Sequence, residues 1–393
     1  MLKKERLIVR KALFGPTAAL AFVWFTTHFG GGFASGRQLV EFYTRFGWYA
    51  ACLPIIAMAI CAITFYYGWA FAAAHRTFNY YSWAEKYYGS KALAAVYEIA
   101  YVIALALASA VAFATGGETI KALLGTPYFV NTIFIAILIF VLTIFGAETV
   151  RKAAAAVSIV IIIGLLIVLG SNFIANFEAI AETIRLAKTE ANLAPAVWQM
   201  LLYAAFQTVV IGAYVSVAEP ITTRSEAKSA ALFGFFINAS MITLSSLCLL
   251  GYYPDIVTEA VPNLTVAGES LGGEIAAFAI SFLILLGVVS TGVNVVYAGA
   301  KRIVDYVGEK RGLTGEDRRT NIIASAGYVV LTWGIALFGL IPLVAKGYGY
   351  LGYIGLFVVV LPVIAKGLLT SHVWFEDEVD EVDEFLAKGE VVQ

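Results

Sequence analysis

Long runs of apolar residues, separated by short polar segments, dominate the pattern of the chain. A helix needs about 20 mostly apolar residues to cross the hydrocarbon core of a bilayer. Ten runs meet that measure, so the sequence predicts an all-α integral membrane protein with ten transmembrane helices. The predicted spans are 14–46, 48–74, 92–117, 128–146, 153–171, 195–219, 229–251, 273–300, 320–343 and 348–369.

A polar, glycine-rich stretch, TTHFGGGFASG from Thr26 to Gly36, interrupts the first span near its middle. Each glycine costs a helix about 1 kcal/mol relative to alanine. In lipid, the backbone groups that a helix break frees cost several kcal/mol each if they stay unpaired. We therefore predict a broken first helix whose break is a binding site. The alternative is close helix packing, because Gly32-x-x-x-Gly36 is also a small-xxx-small pattern.

The ten spans divide into two sets of five, 14–171 and 195–369. An odd number of spans in each set inverts the second set relative to the first, as in many secondary transporters. The second set should then also open with a broken helix. Gln207, Thr208 and Gly212 interrupt the sixth span near its centre, where this break is predicted.

The distribution of lysine and arginine predicts the orientation in the membrane. With the N-terminus in the cytoplasm, 20 of these residues fall on the cytoplasmic side and 6 on the outer side. Both termini are therefore predicted to be cytoplasmic, in an inner or plasma membrane. Residues 1–13 form the N-terminal segment, 172–194 an external interfacial segment, 252–272 an external cap, and 370–393 an acidic cytoplasmic tail.

Composition excludes several classes of function. The chain of 393 residues is 61% hydrophobic and 13% charged, and its net charge of −1 gives no basic excess for nucleic acid. Cys52, Cys61 and Cys248 lie in apolar runs and have no zinc-ligand or disulfide spacing. Because no catalytic or nucleotide-binding motif occurs, we predict neither an enzyme nor a bound cofactor. The oligomeric state stays open.

Two short motifs carry a resemblance to a known group. They are Gly30-Gly31-Gly32-Phe33 in the first span and Gly287-Val288-Val289-Ser290-Thr291 in the eighth. With the span plan, they resemble the amino acid–polyamine–cation superfamily, which has the LeuT-type five-plus-five fold. The GGGFASG stretch is also similar to YkvI-like bacterial membrane proteins. The resemblance implies a secondary active transporter that works by alternating access.

The resemblance also implies a cation site. In sodium-coupled members, the ion lies between the broken first helix and the eighth helix. At the matching positions of this chain, the resemblance implies five ligands: the carbonyls of Thr26, Phe29 and Gly287 and the hydroxyls of Ser290 and Thr291. A hard cation prefers several oxygen ligands, and residues at i, i+3 and i+4 share one helix face. Alternatively, the two hydroxyls bond their own i−4 carbonyls, as hydroxyls in membrane helices often do.

The solute is expected beside the same break, where the segment from Gly31 to Ala34 presents free N–H groups. A small zwitterionic or polar solute such as an amino acid would suit these groups. Residues on the third and sixth spans could complete the site. The candidates are His28, Gly30, Gly31, Gly32, Phe33, Tyr101, Ser109, Tyr203, Phe206, Gln207 and Thr208.

Ionisable residues within spans are functional candidates by default. Arg37 and Glu41 stand at i and i+4, can pair, and are candidates for an outer gate. His28 could carry a proton, bind solute, or be a neutral hydrogen-bond partner between helices.

The coupling ion is predicted to be sodium. In proton-coupled relatives, a fifth-helix lysine can take its place, and the fifth span here has no lysine. The alternative is a proton-coupled carrier of a nucleobase-like or organic-acid solute that uses His28 or Glu98. A channel is disfavoured, because two dissimilar broken helices do not form a symmetric pore.

Overall fold

The computed structural model of the protein describes residues 15–145, 147–311 and 318–375. The predicted N-terminal segment 1–13 and most of the acidic tail, residues 376–393, lie outside the described residues. Each predicted span is helical where it is described, although not every span is one continuous helix.

The helices are numbered in chain order. They are α1 Pro16–His28, α2 Gly31–Ala34, α3 Arg37–Phe42, α4 Leu53–His75, α5 Tyr80–Tyr88, α6 Lys91–Leu124, α7 Tyr128–Phe145, α8 Ala147–Ala175, α9 Phe177–Arg185, α10 Leu193–Thr208, α11 Ile211–Val215, α12 Arg224–Leu250, α13 Pro262–Gly268, α14 Gly273–Arg311, α15 Arg318–Ala336, α16 Leu340–Pro342, α17 Gly349–Gly355 and α18 Leu361–Thr370. Short 3₁₀ segments cover Thr44–Ala51, Asp255–Thr258 and Ser371–Val373, and π-helical turns cover Leu343–Tyr348 and Leu356–Val360.

The described helices are those of a multi-pass membrane protein. Six stretches are long and apolar enough to cross a bilayer, and α8 with α9, bent by 69° at their junction, is a seventh candidate. The count is below ten because several predicted spans are short or broken. For example, α1 has 13 residues and α10 has 16. The inverted five-plus-five repeat stays a prediction.

Local sequence signals account for the ends of two long helices. A capping box starts α12, where the Thr223 side chain accepts a hydrogen bond from the Glu226 N–H and the Glu226 side chain accepts one from the Thr223 N–H. Gly125 ends α6 with a positive φ of 67°, a conformation that glycine adopts without strain. Because α6 has 34 residues, it is about 51 Å long and extends beyond a bilayer core of about 30 Å.

Two helices organise the packing around the breaks. Helix α12 packs against α1 and α4, and α14 packs against α2, α6 and α8. Helix α10 packs against α17 through glycines that bring the two backbones together. A Cβ at Gly352 would lie 2.6 Å from the Leu202 carbonyl oxygen, and one at Gly355 would lie 2.3 Å from the Ala205 carbonyl oxygen. Such small residues drive close helix contacts in membranes.

The segment after α12 covers the first break. The Asn263 backbone N–H donates to the Ser35 carbonyl at 3.0 Å, and its side-chain amide donates to the Ala34 carbonyl at 2.9 Å. Gly36 has a φ of +82°, and a Cβ there would lie 2.6 Å from the Asn263 side-chain oxygen. This position therefore requires glycine both for its backbone conformation and for the close approach of the cap.

Replacing Gly355 by alanine tests the α10–α17 contact. We expect Gly355→Ala to lower the free energy of unfolding by about 1–3 kcal/mol, because the methyl group overpacks against backbone that cannot rotate away. Gly349→Ala, in the same helix, is the matched control, since a Cβ there meets no atom within 4 Å. Reversible unfolding of the purified variants in mixed micelles measures both. Equal stability of the two variants would contradict the close backbone contact.

Candidate functional site

The first break leaves a set of backbone carbonyls without partners from their own helix. Helix α1 ends at His28, and the Phe29 N–H caps it by donating to the Phe25 carbonyl at 2.9 Å. The Gly30 carbonyl accepts from the N–H groups of Phe33 and Ala34 at 3.0 and 3.1 Å, so these two groups are not free for the solute as the sequence analysis predicts. The carbonyls from Thr26 to Phe29 lie at the negative end of the α1 dipole, where positive charge is favoured.

His28 is held in place by two helices that come from distant parts of the sequence. Its Nδ1 lies 2.7 Å from Asn238 Oδ1, and its Nε2 lies 2.7 Å from the Tyr203 hydroxyl. The Asn238 amide nitrogen donates to the Gly234 carbonyl, so its oxygen faces His28. His28 Nδ1 therefore donates to Asn238. Because neither hydrogen-bond partner of this buried imidazole is acidic, we assign it the neutral form, in which Nε2 accepts from Tyr203.

The sixth span breaks between α10 and α11, and a tyrosine from α6 bridges this break. The Tyr97 hydroxyl donates to the Val209 carbonyl at 3.1 Å and accepts from the Gly212 N–H at 2.8 Å. A Cβ at Gly212 would lie 2.6 Å from this hydroxyl. One side chain thus satisfies a free donor and a free acceptor of the second break.

A small cavity lies between the end of α1 and the middle of α14, and its volume is about 20 Å³. It is large enough for one species the size of a water molecule. The structure brings together all the residues that the sequence analysis assigned to a cation. Thr26, Phe29, Gly287, Ser290 and Thr291 line the cavity, beside Phe25, Gly30, Ile161 and Ile162.

The hydroxyls of Ser290 and Thr291, which line this cavity, do not bond to carbonyls of their own helix. Among the described residues, neither Ser290 nor Thr291 forms a hydrogen bond, so the predicted alternative of i−4 back-bonding does not occur. Hydroxyls elsewhere in long helices vary: those of Thr243, Ser245 and Ser246 also have no hydrogen-bond partner among the described residues, whereas several others back-bond. Those of Thr143, Ser281 and Thr332 donate to the carbonyls four residues earlier at 2.7, 2.7 and 2.8 Å. The free hydroxyls at 290 and 291 therefore remain available as oxygen ligands.

A second, larger cavity of about 110 Å³ lies on the other side of Gly30 and Thr291, and both residues border both cavities. A Cβ at Gly30 would lie 2.7 Å from Thr291 Oγ1, so the wall between the cavities is one glycine backbone against one threonine side chain. Of the predicted solute residues, the central cavity is lined by His28, Gly30, Gly32, Phe33, Phe206 and Gln207.

Four other predicted solute residues do not line the central cavity. The Ser109 and Thr208 hydroxyls donate to the carbonyls of Leu105 and Ala205, both at 2.8 Å. Tyr203 bonds His28, and the Tyr101 ring lies under the Arg302 guanidinium at 4.6 Å. The remaining candidate, Gly31, begins α2.

Arg37 and Glu41 form the predicted ion pair, at 2.9 Å, and both side chains are buried. Arg37 also donates to the carbonyls of Val257 and Glu259 in the cap, at 2.8 and 2.9 Å. Arg45 pairs with the second Glu41 oxygen. This network joins α3 to the cap, and its predicted gating role stays a prediction.

Sequence reasoning missed Gln38, Tyr97 and Asn238. Gln38 lines the central cavity, and its polar character directly after the break was a signal in the sequence. Tyr97 hydrogen-bonds Val209, 112 positions away, and Asn238 hydrogen-bonds His28, 210 positions away. No local sequence pattern predicts such distant pairs.

The chain matches no protein-family model and no curated protein. Among solved structures, it is similar to a mutant manganese transporter of Eremococcus coleocola, with a TM-score of 0.47 and 12% identity over 95% of this chain and 91% of that one. It is also similar to a substrate-bound, outward-open Na⁺-coupled sialic acid symporter, with a TM-score of 0.50 and 13% identity over 88% of this chain and 83% of that one. The second likeness shows a shared fold.

Removing the Tyr97 hydroxyl tests the support of the second break. We expect Tyr97→Phe to lower the free energy of unfolding by about 1–3 kcal/mol, because it leaves the Gly212 N–H and the Val209 carbonyl without partners. Hydrogen exchange at the Gly212 amide should speed up. Tyr350→Phe, at an exposed position, makes the same change elsewhere and should leave both measurements unaltered. Unchanged exchange at Gly212 in Tyr97→Phe would show that another group supports the break.

Proposed function

We propose that the protein is a secondary active transporter that couples sodium to the movement of a small zwitterionic or polar solute, such as an amino acid, by alternating access. The observation that carries the proposal is the pair of cavities at the first break. One is lined by oxygen ligands and the other is larger and mostly apolar. They share the wall formed by Gly30 and Thr291.

The small cavity suits a monovalent cation. Helix-end carbonyls from α1 and hydroxyls from α14 are hard oxygen ligands, and the carbonyl end of α1 carries a partial negative charge. If no ion were bound, each of these unpaired polar groups would destabilise the protein by several kcal/mol, because an apolar environment offers no hydrogen bonds. Unwound carbonyls at broken helices coordinate sodium in other transporters. The symporter that shares the fold is itself Na⁺-coupled.

Coupling follows from the shared wall. Because Thr291 borders both cavities, an ion bound to its hydroxyl fixes the side chain that the solute meets. Each ligand then favours the same arrangement of the break, which is the condition for positive coupling between two binding sites.

Proton coupling has less support. The neutral His28 already engages both of its nitrogens, and Glu98 forms an ion pair with Arg302 at 3.0 Å. A coupled proton would have to break one of these contacts in every cycle. A channel also has less support, because two dissimilar breaks do not form a symmetric pore.

The sodium assignment is tested by uptake into proteoliposomes. We expect uptake to require sodium and to be lost when choline replaces it. Thr291→Val keeps the side-chain shape and removes one ligand oxygen. It should raise the sodium concentration for half-maximal uptake by about tenfold, which corresponds to about 1.4 kcal/mol.

Thr143→Val is the matched control for this experiment, since the Thr143 hydroxyl bonds the Ile139 carbonyl in its own helix. It should leave the sodium dependence unchanged. Equal uptake in sodium and choline by the parent protein would refute sodium coupling, and the free hydroxyls of α14 would then need another explanation.

The role of His28 separates sodium from proton coupling. Under the proposal, His28 positions the break through Asn238 and Tyr203 and does not carry the coupled proton. His28→Gln should therefore reduce the maximal rate but keep the pH profile of the parent protein around pH 6.5, where a free histidine titrates. Loss of a pH-dependent step in His28→Gln, measured as uptake against external pH, would favour the proton-coupled alternative.

A further inference from the structure

Gln38 is a buried amide that has no partner. Its side chain lines the central cavity, and the residue is 5% exposed. Its Oε1 is buried without a hydrogen bond, and within the described part of the chain its Nε2 makes none either. A Cβ at Gly32 would lie 2.6 Å from Nε2, so the amide rests against the backbone of the first break.

The fold directs Gln38 to the cavity through its neighbours. Gly36, with its positive φ, turns the chain into α3. Successive helix residues point about 100° apart, so Arg37 and Gln38 face different sides. The Arg37 guanidinium reaches the cap carbonyls, while Gln38 lies at the cavity beside Val111 of α6.

An amide in this position is costly unless something binds it. A buried polar group without a partner destabilises the folded protein. A methionine of nearly the same shape would avoid that cost. The amide is therefore best explained by a ligand that completes its hydrogen bonds.

The rest of the cavity restricts what that ligand is. Among the described residues that line it, none carries a formal charge, because His28 is neutral. Burying a charge without a countercharge is unfavourable and these residues supply none, so, apart from the proposed sodium ion in the neighbouring cavity, the lining favours a ligand without net charge. The face that α6 contributes is apolar throughout, and consists of Ala104, Leu105, Ala108, Val111 and Ala112.

We propose that Gln38 binds the polar end of the transported solute, and that the solute is a small molecule without net charge whose remaining part is apolar. This proposal rests on the proposed transport function and names its substrate class. A carboxamide supplies one acceptor and two donors, and rotation about its terminal bond exchanges the two ends. It can thus meet either the head of a zwitterion or a neutral amide-like edge, while the apolar part of the solute packs against α6.

The test uses full-length protein in nanodiscs at saturating sodium, with named probes. L-leucine and uracil represent neutral solutes, and L-arginine and 4-methylpentanoate represent charged ones of similar size. Binding is measured as the rise in the unfolding temperature with probe concentration. We expect a neutral probe to bind and the charged probes not to bind.

The variant Gln38→Met separates a recognition role from a structural one. Because the amide has no partner, we expect Gln38→Met without ligand to be as stable as the parent protein or more stable. Its affinity for the neutral probe should fall by about tenfold or more, the loss of one well-placed hydrogen bond. Gln199→Met makes the same change on α10, away from the cavity, and should bind the probe as the parent protein does.

Any different result would contradict a specific part of the proposal. Lower stability of ligand-free Gln38→Met than of Gln199→Met would make the amide structural. Unchanged probe affinity in Gln38→Met would remove Gln38 from recognition and leave transport intact. If charged probes bind and neutral ones do not, the substrate class is wrong. Binding of no probe also rejects the class, while stabilisation of the protein by sodium alone would still support the ion site.

Discussion

A helix that breaks inside a membrane has to find partners for the backbone groups it frees, because lipid offers none. This constraint accounts for much of the arrangement around the centre of the protein. At the sixth-span break, the Tyr97 hydroxyl meets the Val209 carbonyl and the Gly212 N–H at once. At the first break, the cap residue Asn263 meets the carbonyls of Ala34 and Ser35. The structure is built around satisfying these few groups.

The backbone groups of the two breaks are satisfied to different degrees, and the difference supports the binding sites proposed at the first break. The second break is bridged by a side chain from α6. At the first break, residues at the end of α1 line a small cavity together with Ser290 and Thr291, whose hydroxyls form no hydrogen bond among the described residues. Unpaired hydroxyls also occur elsewhere among the described residues, at Thr243, Ser245 and Ser246 for example, but those of the first break border cavities that have room for a ligand. The unpartnered amide of Gln38 lies at the same break, on the side of the larger cavity.

The position of this centre could be predicted from the sequence, because three glycines inside an apolar run are a local signal. The face of α14 was predictable for a similar reason, since Gly287, Ser290 and Thr291 follow helical spacing. The supports of the site were not predictable. His28 depends on Asn238, 210 positions away, and that pairing arises only when α12 packs against α1. The structure has fewer crossing helices among its described residues than the ten predicted spans, because broken segments such as α1 are too short to cross a bilayer alone.

Polar networks lie on either side of the central cavity and differ in their exposure to water. On the cap side, the Arg37 and Glu41 side chains are 3% and 7% exposed. On the other side, about 16 Å beyond Thr291 along α14, Arg302 pairs with Glu98, and these side chains are 20% and 26% exposed. Separating a buried ion pair leaves each charge without a partner. The free-energy cost of this separation is lower where water can reach and solvate the charges. The Arg37–Glu41 pair is therefore the costlier of the two pairs to separate. An alternating-access cycle would have to open the cap-side network and the Arg302–Glu98 pair in turn. The break directly before α3 connects the cap-side network to the central cavity.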